Sequence, residues 1–431
     1  MFRTTLLCVW LATSVLAQAP ATMPANDLHK VRTMLREGYE TVKKGYYDPA
    51  YRGINLDARF KEYDEKLKAA PTMSAGLTLV AAFLDGLQDS HTYFLPPARS
   101  FTFDYGYRLA VIGDDVYVER VRPGTDAEAK VRPGDRILSV NGSRVGRESF
   151  TRMQYLLQVL QPQPSTRVAL RDPAGAERTV AVETQVTPGR VQRELFGGGG
   201  AELQDMELRD QAAAHLMRQR HVEQGGVMIW KMPWFFAENA ELDAIFAIAR
   251  KQSTLILDLR GNPGGRVDQL QRMLGYVFPA NVPIGTRVGR KGKGTLAVKG
   301  RADAFTGKLI VLVDAASASS AEIFARVIQL EGRGVVLGDR SAGAVMEAQV
   351  TQFAQAVPGI ILYAFAVTDA DLLMKDGRSL ESTGVVPDEM ALPSGQDLAR
   401  GQDPVLARAA TLAGLDMDAV AAGKLFPFEW K

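Results

Sequence analysis

Apolar residues in the first hundred positions recur at helical spacing. Leu28, Val31, Met34, Leu35, Tyr39 and Val42 share one face of a helix over 27–44, because residues three and four apart lie on the same side. Tyr46-Tyr47-Asp48-Pro49 ends it, since the residue before a proline is pushed out of the α region. The same pattern predicts helices over 56–68 and 75–87, the second capped by Ser74. Residues 24–98 thus read as a helical N-terminal region closing in Gln88-Asp89-Ser90-His91-Thr92-Tyr93-Phe94 and Pro96-Pro97. From 100 to 187 the pattern becomes short strands with turns: Val116-Tyr117-Val118, Arg136-Ile137-Leu138-Ser139-Val140, then the tight-turn pair Asn141-Gly142. A helix over 150–159 and a strand over 167–170 follow. Residues 188–225 read as linker and insertion, with the flexible run Gly197-Gly198-Gly199-Gly200 and a polar helical pattern over 202–221. Beyond Gly226, apolar strands (227–232, 254–258, 309–313, 334–337) alternate with helices (239–251, 267–277, 323–330), which predicts a layered α/β core.

Length and composition narrow the class. The 431 residues suggest two or three domains, and 46% hydrophobic with 23% charged residues is the balance of a soluble globular protein. A net charge of +2, with basic residues dispersed, points to neither nucleic acid nor an anionic membrane as partner. Arg3, the short apolar run 4–16 and Val15-Leu16-Ala17 read as a signal peptide over 1–17, too short to be a membrane span. The only cysteine, Cys8, lies within it, so the mature chain is expected to lack disulfides, thiol chemistry and cysteine metal sites, which fits the bacterial periplasm. The histidines His29, His91, His215 and His221 show no metal-ligand spacing.

The candidate chemistry lies at two strand ends. Leu309-Ile310-Val311-Leu312-Val313 runs straight into Asp314-Ala315-Ala316-Ser317-Ala318-Ser319-Ser320-Ala321-Glu322 and an apolar helix. Such a corner exposes a small side chain while unpaired N–H groups and the helix dipole favour a developing anion. Serine and aspartate are also ordinary helix caps, so the corner alone admits both readings. Asp258-Leu259-Arg260-Gly261-Asn262-Pro263-Gly264-Gly265 ends another buried strand in a glycine-rich turn that can bring N–H groups close to a ligand.

Val131-Arg132-Pro133-Gly134-Asp135-Arg136-Ile137-Leu138-Ser139-Val140-Asn141-Gly142 resembles the core signature of PDZ domains, with Tyr105-Gly106-Tyr107 at the place of the carboxylate-binding loop. This module, Asp-Ser-His-Thr at 89–92, the glycine-rich turn, the serine corner and Gly384-Val385-Val386-Pro387-Asp388 together resemble the S41 peptidases, the family of C-terminal (tail-specific) processing proteases and tricorn-like proteases. The resemblance implies a multidomain α/β protein. Its parts would be a crotonase-like layered ββα catalytic core over 226–395, a PDZ domain, a helical N-terminal region and a C-terminal helical tail over 396–431. It selects Ser319, three residues before Glu322, as nucleophile, with Ser317 and Ser320 as the next choices. Processing proteases of the family use a lysine base, but Ala344 stands at the matching position. The tricorn-like branch uses a histidine preceded by serine, which carries the base onto His91 with Ser90, and a supporting glutamate onto Glu381. Lys375 is the alternative amine. The N–H groups of Gly264, Gly265 and Ser320 are expected to form the oxyanion hole.

The resemblance thus implies a periplasmic serine endopeptidase that works through an acyl-enzyme, without cofactor or metal, and captures polypeptide C-termini with its PDZ domain. Two rivals stand beside it: a catalytically silent peptide-binding protein, and a lipid-type ligand-binding module whose cleft would be lined by the stretch 228–236.

Overall fold

The computed structural model describes residues 22–188, 218–356, 360–428 and 430. The signal read at 1–17, Cys8, His215 and the glycine run at 197–200 lie outside them. The polar helical pattern over 202–221 falls almost wholly outside too. Its end is corrected: Arg220–Gln224 is a strand, paired antiparallel with Val227–Lys231 across the Gly225-Gly226 turn.

The core is a six-stranded sheet in the order Arg220–Gln224, Val227–Lys231, Thr254–Asp258, Lys308–Val313, Val335–Gly338, Glu389–Met390. All neighbours after the first pair run parallel. Parallel strands are covered on both faces, which explains their near-continuous apolar runs. Met228, Trp230, Leu255, Leu257, Val311 and Val313 face helices Asn239–Ala249, Val267–Gly275 and Ser320–Leu330. The alternate residues Val227, Ile229, Ile256, Ile310 and Leu312 face helices Pro404–Leu412 and Ala419–Gly423.

A second sheet is built on the long strand Ile360–Met374. It pairs with Glu347–Ala356, with Tyr93–Leu95 and with Val282–Gly289, which in turn pairs with Gly292–Val298. Tyr363, Phe365 and Val367 of the long strand share an apolar core with helices Ala25–Gly45, Leu56–Lys68 and Met73–Asp85, while Leu372 and Met374 enter the core of the first sheet. One strand therefore ties the N-terminal helices to the α/β core. The third helix is capped by Thr72, which accepts the Ala75 N–H, rather than by Ser74.

The third sheet has the order Tyr107–Ile112, Asp115–Val121, Arg136–Val140, Ser165–Arg171, Glu177–Glu183, with Ser143–Arg144 paired onto Arg136–Val140. Asn141 (φ 50°) and Gly142 (φ 83°) make the tight turn between the last two. Tyr107–Ile112 lies at the sheet's edge. Helix Arg147–Gln154 continues into a π-helical turn over Tyr155–Leu160.

An ion pair docks this sheet on the α/β core. Arg147 Nη2 donates to Asp339 Oδ2 at 2.6 Å, its Nη1 to the Arg340 carbonyl at 2.9 Å, and the Gly113 N–H joins the same Asp339 oxygen at 2.8 Å. Both side chains are close to buried, at 12% and 6% exposure, so deleting the cation strands a carboxylate in the interface. Arg147→Ala is expected to cost roughly 3 kcal/mol, read as an earlier first transition in urea; superimposable curves would refute the clamp.

Candidate active site

Side chains at the end of strand Lys308–Val313 bind the corner before the helix begins. Asp314 Oδ1 accepts the N–H of Ala316 (3.0 Å) and of Gly261 (2.8 Å), tying the corner to the glycine-rich turn. Ser317 is buried, and its hydroxyl donates to the Leu259 carbonyl at 2.8 Å. It is a structural bolt and not an alternative nucleophile. Ser319 follows at φ 52°, ψ −119°, a conformation costly for any residue with a Cβ. What holds it there is its own N–H, which donates to the Ala344 carbonyl at 2.8 Å and to Glu322 Oε2 at 3.0 Å. Ser319 is half-buried, at the mouth of the helix. The Ser320 hydroxyl is spent on the Gly265 carbonyl at 2.9 Å, which removes it too as a nucleophile. Its N–H occupies the first helical position, where no intrahelical carbonyl is available.

The glycine-rich turn lies directly against this corner. A Cβ on Gly264 would come within 2.7 Å of Ser319 Cβ, so only glycine fits. The Gly264 N–H, expected in the oxyanion hole, donates instead to Asn262 Oδ1 at 2.8 Å. Gly265 bridges to Phe235 through the N–H groups of Phe235 and Arg266, leaving its own N–H outside that pairing. Arg260 buttresses the turn, forked onto Asp258 (2.9 and 2.8 Å) and Asp403 (2.8 and 2.7 Å).

Glu322, fully buried, is the hub that the motif reading used only as a counting mark. Its carboxylate accepts from Ser341 Oγ (2.6 Å), Gly343 N–H (2.7 Å), Ala344 N–H (2.9 Å) and Ser319 N–H (3.0 Å). Burial pushes its pKa up, and these donors pull it back. The helix start is thereby stapled to the loop 341–344.

His91 belongs to a second hydrogen-bonded chain. Its Nδ1 lies 2.6 Å from Ser90 Oγ, which donates to Glu381 Oε2 at 2.9 Å; the Ser90 N–H donates to Glu381 Oε1 at 2.7 Å. A serine hydroxyl has one proton, and here it is given to the carboxylate. Ser90 must therefore accept from Nδ1–H, which leaves Nε2 bare as an acceptor. Burial lowers the His91 pKa to about 4, with the Asp89 charge acting in the opposite sense, so the ring is neutral near pH 7. Burial raises the Glu381 carboxyl, and its donors on Val345 and Ser90 oppose that.

The two chains meet on neighbouring peptides. Ala344 gives its carbonyl to Ser319, and Val345 gives its N–H to Glu381 Oε2 at 3.1 Å. No hydrogen bond joins the Ser319 hydroxyl to His91 itself. Lys375 is not brought in: its Nζ pairs with Glu331 Oε1 at 2.7 Å. In the PDZ-type sheet, Tyr105 Oη donates to the Leu157 carbonyl at 2.7 Å, linking its loop to the helix. The Gly106 N–H is taken by Asp104 Oδ1 at 2.8 Å, and Tyr107 opens the edge strand.

Known proteins resemble this chain over three of its segments. Residues 227–391 match the model of peptidase family S41, residues 102–170 that of the PDZ domain, and residues 29–75 that of the tricorn protease C1 domain. The tail-specific protease of Haemophilus influenzae is 24% identical over 373 residues, covering 78% of this chain and 50% of that protein. The chloroplastic C-terminal processing peptidase of Tetradesmus obliquus is 25% identical over 397 residues, 85% and 79% of the two chains. The chain thus spans about half the length of the first of these relatives. Mature CPAF complexed with lactacystin superposes with a TM-score of 0.65 at 15% identity, over 87% of this chain and 96% of that one. The photosystem II D1 C-terminal processing protease does so with a TM-score of 0.52 at 20% identity, over 92% and 99%. Among the described residues no helix is long and apolar enough to cross a membrane. The resemblance read from the motifs therefore holds in the core, the PDZ module and part of the N-terminal helices.

Proposed function

We propose that this chain, whose core is an S41-type peptidase domain, is a serine endopeptidase exported to the periplasm that cleaves polypeptides by way of an acyl-enzyme. The observation that carries the reading is the unbroken chain Glu381–Ser90–His91, anchored one peptide away from the carbonyl that holds Ser319. His91 Nε2 takes the Ser319 proton as Oγ attacks the scissile carbonyl, then gives it to the leaving amine; water, activated by the same ring, releases the acyl group. The oxyanion is held by the N–H groups of Ser320 and Gly265, with Gly264 giving room for close approach. Because the serine and the ring are not yet bonded, substrate binding must close that gap, as catalytic hydrogen bonds tighten in the Michaelis complex.

The domain reading assigns 24–98 to a helical region, 100–187 to the PDZ module, 226–395 to a crotonase-like layered core and 396–431 to a helical tail. The unpaired edge of Tyr107–Ile112 offers a site where a polypeptide C-terminus adds as a further strand. A silent peptide binder has no use for the relay, and nothing in the site favours a lipid.

The test is labelling of the full chain with a fluorophosphonate, with the modified peptide mapped. Ser319 should be the labelled residue, and both Ser319→Ala and His91→Ala should abolish labelling. The rate should stay level on acidification past pH 6.5, where an ordinary histidine is lost as a base, and fall only as pH approaches about 4, because loss of solvation keeps the half-buried ring neutral until then. Labelling that survives His91→Ala, or that falls with a midpoint near 6.5, would remove His91 from the role.

A further inference from the structure

Close to its C-terminal end the chain leaves the peptidase core and runs onto the PDZ module. Ala422, Leu425 and Phe426 still belong to the apolar layer beneath the six-stranded sheet. Arg220, in the edge strand of that sheet, holds the departing chain: its Nη1 donates to the Pro427 carbonyl at 3.1 Å, and its guanidinium lies 5.4 Å from the Phe426 ring centre. One residue later the surroundings change. The Phe428 ring lies 5.0 Å from the Arg108 guanidinium and 4.8 Å from that of Arg120, and the Trp430 ring lies 4.8 Å from that of Arg122. The two rings meet edge to face, 5.0 Å apart at 76°, so they dock as one unit.

The arginines that receive them share one face of the PDZ sheet. Tyr107, Leu109, Val111, Val116 and Val118 point into the module's core, together with Phe150 and Met153 of its helix, which puts Arg108 on the opposite face. Arg108 and Arg120 are direct cross-strand partners, and like charges so placed repel. Arg122 is paired with Asp104 at 2.9 Å, and Arg120 lies 3.5 Å from Glu119. The repulsion at Arg108 has to be offset by something else, and the π-face of Phe428, close to both guanidinium groups, does so. We infer that the arginine face of the PDZ sheet is a docking surface for an aromatic-x-aromatic segment, filled by the chain's own Phe428 and Trp430. The segment acts as a strap that tethers the module to the core, beside the Arg147–Asp339 pair. Because it lies on the face away from the module's helix, it leaves the edge of Tyr107–Ile112 open. The inference concerns how two parts of the chain are joined and does not rest on the peptidase reading.

The test is amide hydrogen exchange of the full chain, read over strands Tyr107–Ile112 and Asp115–Val121. Phe428→Leu keeps an apolar side chain but loses the π-face, and exchange should rise roughly 10-fold; Phe428→Tyr keeps the π-face and should exchange like wild type. Arg108→Gln distinguishes a built seat from a tail that merely lies nearby. In the wild type it gives up a contact to Phe428, whereas in the Phe428→Leu background it only removes repulsion from Arg120 and should slow exchange. Arg220→Gln, at the core end of the strap, should also speed exchange in the PDZ strands, though less than Phe428→Leu. Wild-type exchange in Phe428→Leu, or the same effect of Arg108→Gln in both backgrounds, overturns the docking surface. Exchange unchanged by Arg220→Gln overturns the tether.

Discussion

Ser319→Ala is expected to lower kcat by roughly 10⁵-fold while leaving KM and the unfolding midpoint where they were, since on the proposed reading only the nucleophile is lost. The stability half of this expectation follows from the backbone. Alanine carries the same Cβ into φ 52°, ψ −119°, so the strain of the corner persists. Ser319→Gly is equally inactive but removes that Cβ. Relief of about 1–3 kcal/mol of backbone strain outweighs the roughly 0.5–1 kcal/mol that glycine costs in entropy. A net gain of about 1 kcal/mol is thus expected, visible as a higher midpoint for Ser319→Gly than for Ser319→Ala. Equal midpoints would mean that the corner is not strained. Residual turnover near the wild-type rate in either variant would mean that the nucleophile is another residue.

Glu322→Ala should have the largest effect on stability. It leaves Ser341 Oγ–H and the N–H groups of Gly343 and Ala344 without their acceptor, whereas the Ser319 N–H keeps the Ala344 carbonyl. At about 1–3 kcal/mol for each of the three stranded donors, the loss is at least about 3 kcal/mol, and activity goes with it because the serine corner is freed from its loop. Glu322→Gln matches the shape yet rescues only part of the loss. Oε1 can still accept from Ser341 and Gly343, but an amide NH₂ at the Oε2 position faces the N–H donors of Ser319 and Ala344. Urea unfolding of the three proteins should rank them wild type, glutamine, alanine. A glutamine variant as stable as wild type would show that the carboxylate's second oxygen contributes nothing.

The parts of the molecule that could be read from the chain are those fixed by local patterning. The strands at 227–231, 254–258 and 308–313 carry apolar runs (227–230, 255–257 and 309–313) because both of their faces are covered. The parts that escaped depend on distant partners. Strand Ile360–Met374 takes its register from Glu347–Ala356 on one side and from Tyr93–Leu95 on the other, a pairing no local pattern announces. Within the site, Ser90, His91 and Glu381 are joined in one chain, and two glycines share a local device. The N–H groups of Gly264 and Gly106 are each taken by an amide or carboxylate side chain two residues earlier, Asn262 and Asp104. Asn-x-Gly and Asp-x-Gly are the signature of a side chain bonding the backbone two residues on, and that signal lay in the sequence. Glu322 could not be ranked in this way, because its weight comes from donors on residues 341–344.

The union of Ser90 with Glu381 spans 291 positions of sequence. As the chain is synthesised, the serine corner emerges well before Glu381, and Ser90 and His91 wait longer still for that partner. Loop closure over such a span comes late in folding. On the proposed reading, a half-made chain lacks a complete relay, and competence arrives only after Glu381 has emerged.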